Sequence, residues 1–142
     1  MIVYAESSAV IAWLFGEPQG DAVRRELSRA THVVTSRLTR IECLRTITRA
    51  VSSGRISEAD GIALRAQLAR TSASWVRLES TDEVEDRAGR PFPAEPVRTL
   101  DAVHIATALV ARAAEPEVVM LSLDERVRRN AEGLGFALRP AF

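Results

Sequence analysis

Lysine is absent from this chain: all 19 basic residues among its 142 are arginines. An equal number of acids brings the formal net charge to zero. That balance excludes a histone-like, polybasic nucleic-acid binder. It leaves room for local arginine clusters, because a guanidinium binds phosphate bidentately where an ammonium offers a point charge. The single cysteine, Cys43, excludes an intramolecular disulfide and fits a reducing compartment. No stretch approaches the roughly 20 apolar residues that span a bilayer, and no basic flank with a cleavage site opens the chain. The expectation is a cytoplasmic protein without membrane contact. HExxH, paired CxxC, GxGxxG and GxSxG patterns are all missing, so zinc-protease, dinucleotide-binding and hydrolase-elbow readings have no support.

What the chain does have is apolar content, 46% of 142 residues, enough for one domain over 1–142 with a buried core. Short apolar runs at 2–5 (IVYA), 32–35 (HVVT), 74–78 (SWVRL), 118–121 (VVML) and 136–138 (FAL) read as strands. Helical periodicity covers 8–15, 21–30, 36–52, 57–71, a short segment after Ser80, 99–113 and 124–134. Leu38, Ile41, Leu44, Ile47 and Val51 mark the expected inner face of the 36–52 helix. Ser57 with Asp60, and Ser80 with Glu83, sit at capping-box spacing. Pro91, Pro93 and Pro96 make the intervening segment a loop. Strands alternating with helices predict an α/β fold of three layers, a mostly parallel central sheet flanked by helices.

Four acids stand out by position. Glu6 ends the first strand, and a carboxylate at the tip of a buried strand is costly unless compensated. Glu42 lies in the second turn of the helix after the second strand. Asp101 interrupts an apolar window at the start of the 99–113 helix, and Asp124 follows VVML closely with Ser122 between. Right-handed βαβ connections bring strand C-termini and the following helix N-termini to one sheet edge. Carboxylates gathered there repel one another unless cations neutralise them, and an oxygen-rich set of this kind suits Mg²⁺ or Mn²⁺. Helix capping and the macrodipole alone account for Asp124 and, less well, for Asp101. They do not account for Glu42, too deep in its helix to cap, nor for Glu6. His104, one turn after Asp101, could line the same cleft, but a partly buried histidine bonding a backbone carbonyl is the expected reading, and Cys43 is expected to be a small core residue. His32 reads as structural, and Trp13 and Trp75 as core or interface residues.

Four segments, IVYAESSAVIAWL, TRIECLRTITRA, RTLDAVHIATAL and LSLDERVRRNAEGLGF, resemble in order those of the PIN domain family, specifically the VapC-type toxins of bacterial toxin–antitoxin pairs. The resemblance runs from residue 2 to about 138. It implies a PIN-like fold and a Mg²⁺- or Mn²⁺-dependent endoribonuclease that cleaves RNA phosphodiesters with a metal-activated water. By the same resemblance Glu6, Glu42, Asp101 and Asp124 are the catalytic, metal-binding set. Glu6 and Asp101 would coordinate directly, and Glu42 and Asp124 directly or through water. Ser8 and Ser122 would aim the carboxylates, and Arg98 and Arg126 would contact phosphate or a partner. It further implies a cognate VapB-type antitoxin and a homodimer or toxin–antitoxin hetero-oligomer.

One departure is that the family's first acid is normally aspartate, whereas position 6 is glutamate, one methylene longer. That motivates an alternative: a catalytically impaired PIN-fold module that binds RNA or an antitoxin partner without cutting. A third reading, an acidic-pocket phosphotransfer domain, needs an aspartyl nucleophile where Glu6 stands.

Overall fold

The computed structural model describes residues 1–142. Five strands, β1 (Ile2–Ala5), β2 (His32–Ser36), β3 (Val76–Leu78), β4 (Val119–Leu121) and β5 (Leu138–Arg139), form one sheet in the order β3-β2-β1-β4-β5. Every pairing is parallel. Seven helices connect them: α1 (Ser7–Leu14), α2 (Gly20–Arg29), α3 (Arg37–Ser52), α4 (Glu58–Ser72), α5 (Asp82–Ala88), α6 (Thr99–Ala114) and α7 (Glu125–Gly133).

Strand alternation builds the two cores. Successive side chains point to opposite faces, so Val3 and Ala5 of β1, Val33 of β2 and Val119 and Leu121 of β4 face α1–α4. Tyr4, Val34 and Met120 face the other way, onto Ala102, Ile105 and Ala108 of α6 and Val127 and Ala131 of α7. Both faces are covered, which is why these strands are continuous apolar runs. Each fully buried Val, Ile or Met side chain is worth about 1.5–3 kcal/mol against exposure, so the two cores fix the sheet edge on which the acids sit.

The helix starts are set by side-chain caps. Ser36 accepts from the Leu38 N–H, Ser57 from Asp60 and Asp124 from Arg126 and Val127. The cap of α5 is Thr81, which accepts from the Val84 N–H, and not Ser80. Two further differences have physical causes. The inner face of α3 is turned: Thr39, Cys43, Ile47 and Ala50 are buried and Ile41 is 55% exposed. Thr39 is drawn in by the Thr35 hydroxyl, 2.7 Å away, which also donates to the Ala5 carbonyl at 2.6 Å. The last strand is Leu138–Arg139 rather than 136–138. Gly135, at φ +84°, turns the chain out of α7, and Phe136 enters the core from irregular backbone.

The strand order places β1 at the centre, with β2 and β3 to one side and β4 and β5 to the other. The chain therefore reverses its direction of growth between β1 and β4, and open α/β sheets bind ligands in the crevice beyond such a point. Glu6 leaves β1 and Ser122 leaves β4 at that crevice.

Candidate active site

Glu6 is 3% exposed and serves as the N-cap of α1. Its carboxylate is held by local hydroxyls. Ser7 Oγ donates to Oε1 at 2.7 Å, the Ser8 N–H donates to the same oxygen at 3.1 Å, and Ser122 Oγ donates to Oε2 at 2.8 Å. Ser8 Oγ also donates to Oε2. Hydrogen bonds to the charged form offset the desolvation that strand-end burial imposes. Ser8 and Ser122 thus both hydrogen-bond to this carboxylate, and Ser8 does more. Ser8 Oγ accepts the Leu123 and Asp124 N–H groups at 3.0 and 3.1 Å, tying the α1 start to the β4–α7 turn.

Ser7 is the residue that sequence reasoning misses. Its hydroxyl lies 2.7 Å from Glu6 Oε1 and 3.1 Å from Glu42 Oε2, so one proton is shared between two carboxylates. The one signal in the sequence is its position directly after the strand-end acid. Glu42 is fixed on its other oxygen by His104 Nε2 at 2.6 Å, and His104 Nδ1 lies 2.9 Å from the Tyr4 hydroxyl. The expected backbone-carbonyl partner for His104 is therefore replaced by a Tyr4–His104–Glu42 chain. The α6 helix packs across the sheet, so the imidazole meets side chains from β1 and α3 instead of main chain. Burial pushes the His104 pKa down, but the bond to Glu42 and the charges of Glu6, Glu42 and Asp101 outweigh it, and the net direction is upward. The Tyr4 phenol is held well above its ordinary value by burial, reinforced by the Glu6 charge.

Asp101 and Asp124 share a cation. Arg98 Nε is 3.0 Å from Asp101 Oδ2 and Arg98 Nη2 is 3.6 Å from Asp124 Oδ2. Burial raises the Asp101 pKa, the Arg98 bond and charge oppose that, and the Asp124 and Glu6 charges add to it, leaving the carboxyl above its usual range. All four acids therefore stand at one edge, linked in pairs through Ser7 and Arg98, with Ser8 joining the pairs. No three carboxylate or imidazole side chains are grouped tightly enough to form a protein-only metal cage. Arg126, by contrast, is exposed on α7 with no acid in ion-pair range.

Cys43 is enclosed beside this edge, its thiol pushed up to about 12 by burial and then by the Glu42 and Glu6 charges. Only the thiolate is nucleophilic. Native protein at pH 8 is expected to leave Cys43 unalkylated by iodoacetamide, with one equivalent taken up after guanidinium unfolding. Rapid alkylation of folded protein, read by intact mass, would contradict the burial.

The family model described as the PIN domain matches residues 3–133. A curated relative, Ribonuclease VapC35 of Mycobacterium tuberculosis, is 33% identical over 140 residues, covering 96% of this chain and 95% of the relative. Ribonuclease VapC46 of the same organism is 33% identical over 137 residues with the same coverage. Among solved structures, Mycobacterium tuberculosis VapC20, a Sarcin-Ricin loop cleaving toxin, superposes with a TM-score of 0.67 at 17% identity, covering 95% of this chain and 96% of that one. VapBC2 from Rickettsia felis, bound to a DNA fragment from its promoter, superposes with a TM-score of 0.68 at 9% identity and covers 98% of both chains. At those identities the two structures speak for the fold, while the family model and the near full-length relatives speak for descent. The chain belongs to the PIN domain family, alongside the VapC ribonucleases that it resembles along its length.

Proposed function

We propose that this protein is a divalent-metal-dependent endoribonuclease, the toxin of a VapBC-type pair, with Glu6, Glu42, Asp101 and Asp124 as its metal-binding and catalytic acids. The observation that carries the reading is the linking of these four carboxylates at the β1/β4 reversal with Arg98 as the only arginine in ion-pair contact with any of them. The donor set fits Mg²⁺ or Mn²⁺. It is all hard oxygen, it carries more negative charge than one guanidinium balances, and Mg²⁺ is usually held by one or two carboxylates plus water and substrate phosphate, not by a closed protein cage. A bound ion there supplies an activated water and offsets the charge that develops on the phosphodiester under attack.

The chain's own residues have separable tasks. Asp101 and Glu6 offer the two most buried carboxylates and are the direct ligands in this reading. Ser7, Ser8 and Ser122 hold Glu6 in one orientation, and His104 with Tyr4 holds Glu42, as supporting hydrogen bonds do at metal sites. Arg98 occupies the space between Asp101 and Asp124 and is 64% exposed, so it can withdraw as a cation or phosphate arrives.

RNA is the substrate and a VapB-type antitoxin the partner in this proposal. The antitoxin reading is supported by a groove beside Glu42 where exposed Ile41 and Leu100 stand with Arg45 and Arg49, suited to an apolar, acidic segment. Exposed Ile62 on α4, next to that helix's contact with α3, supports self-association or a toxin–antitoxin hetero-oligomer.

The test is RNA cleavage by antitoxin-free protein. Cleavage is expected with Mg²⁺ or Mn²⁺, and it should stop on addition of EDTA and return when excess metal is restored. Cleavage that persists in EDTA, or none with either metal in protein shown to be folded, would remove the proposal and favour the non-cutting binding module.

A further inference from the structure

We infer that the cleft between the 94–98 segment and α7 is a track for RNA backbone phosphates, gripped by Arg126 and Arg129 and opening beside the acids at Arg98. The inference rests on the ribonuclease reading and adds to it the surface along which the substrate strand lies.

The cleft encloses about 380 Å³, and its lining includes Arg98, Arg126 and Arg129. Arg126 and Arg129 are three residues apart on α7, a rise of about 4.5 Å, so they project from one side of the helix. Both are exposed, and neither has an acid within ion-pair distance, although the chain carries as many acids as arginines. The one acid in the lining, Glu95, is turned to the backbone: its oxygens accept the Phe92 and Val97 N–H groups at 2.9 and 2.8 Å. The cationic wall is therefore left uncompensated from within the protein.

The cleft is also built to a fixed shape. Asn130 is 1% exposed and clamps the opposite wall. Its Oδ1 accepts the Ala94 N–H at 2.8 Å, and its Nδ2 donates to the Ala94 and Arg126 carbonyls at 3.2 and 2.9 Å. One turn on, Gly133 lets α7 approach the same segment, since a Cβ there would stand 2.9 Å from Pro93 Cβ. Asn130 is thus a positioning residue that holds the segment carrying Arg98 against the helix carrying the other two arginines.

Location decides between RNA and an acidic protein as the occupant. Arg98 reaches Asp101 and Asp124 at 3.0 and 3.6 Å, so the cleft is continuous with the acids. A strand whose scissile phosphate lies at those acids must leave the site over a neighbouring surface, and a guanidinium fork matches each phosphate it passes.

The probe is a fluorescent single-stranded oligoribonucleotide titrated by anisotropy in EDTA between 50 and 300 mM salt, where metal-dependent cutting is silent. In the Arg126→Gln/Arg129→Gln protein, affinity at the lowest salt is expected to fall at least about tenfold. The salt slope should shrink by about 1.4, because each single-strand phosphate that a guanidinium neutralises adds about 0.7 to it. Mn²⁺ affinity by calorimetry should not move, because neither residue belongs to the acid set. Arg126→Lys/Arg129→Lys should restore most of the slope, since the charge returns. Unchanged affinity and slope in the Gln protein would overturn the inference and leave the arginines to an acidic protein partner. Failure of the ribonuclease reading is recorded separately, by wild-type protein that binds this RNA but cuts nothing with Mg²⁺ or Mn²⁺.

Discussion

Asp101→Asn is expected to lower RNA cleavage by about a thousandfold or more while leaving the protein folded. Changing the partners that merely support a metal ligand costs 10–100-fold, and replacing the ligand's charge should cost more, about 4 kcal/mol or above in transition-state stabilisation. The structure makes this variant a clean one. Asp101 is 9% exposed, and its side chain contacts Arg98, itself largely in solvent, so an amide of the same shape leaves no buried partner stranded.

The pKa direction adds a sign. Burial, with Asp124 and Glu6 nearby, holds the Asp101 carboxyl above its ordinary value. A raised acid binds its proton more tightly in the folded state, so its contribution to stability declines as pH rises above the ordinary carboxyl range. At pH 7 the ionised carboxylate therefore works against the metal-free fold, and Asp101→Asn should melt no lower than wild type in EDTA. Added Mn²⁺ should raise the melting temperature of wild type and do so much less for the variant. A variant that cleaves at wild-type rate, or one that melts well below wild type, would take Asp101 out of the site or make its role structural.

The sheet edge that carries Asp101 is legible in the sequence because its determinants are local. IVYA and VVML announce strands buried on both faces, and the acids after them fall where the topology gathers strand ends. What escapes a sequence reading is set by residues distant along the chain. His104 and Glu42 are 62 residues apart, and nothing near either names the other as a partner. Ser7 becomes a bridge only when the start of α3 is brought against α1. The inner face of α3 differs from the expected one because apolarity does not dictate burial there: the Thr35–Thr39 hydroxyl pair turns the helix and leaves Ile41 on the groove beside Glu42. Phe136 departs from its expected strand for a related reason. Its ring is buried over the Arg112 guanidinium, 4.0 Å from the ring centroid, but its backbone pairs with nothing in the sheet.

Glu6 is where the structure bears most directly on the departure from the family's usual aspartate. Its carboxylate satisfies Ser7 and the Ser8 backbone on one oxygen and Ser8 and Ser122 on the other. An aspartate retreats by one methylene, roughly 1.5 Å, and cannot meet the α1 serines and the β4-side Ser122 together. Glu6→Asp is therefore expected to lose about 1 kcal/mol of stability and to cleave about tenfold more slowly. Glu6→Ala should be far worse. It strands the hydroxyl of Ser122, which is fully buried, while Ser7 keeps Glu42 Oε2 as its acceptor at 3.1 Å. Each unsatisfied buried group costs about 1–3 kcal/mol. The Ser8 N–H loses its cap as well, and Ser8 and Ser122, with oxygens 3.3 Å apart, recover part of the loss by pairing with each other, so a net loss of about 1–3 kcal/mol is expected, with cleavage abolished. Urea unfolding in EDTA separates the stability effect from the catalytic one. The two variants also decide between the competing readings. A site shaped around glutamate loses rate when the side chain is shortened, whereas a site impaired by glutamate gains it. Cleavage faster than wild type in Glu6→Asp would establish that the natural residue holds the nuclease back, and the serine cradle would then be a device for keeping the acid away from the metal.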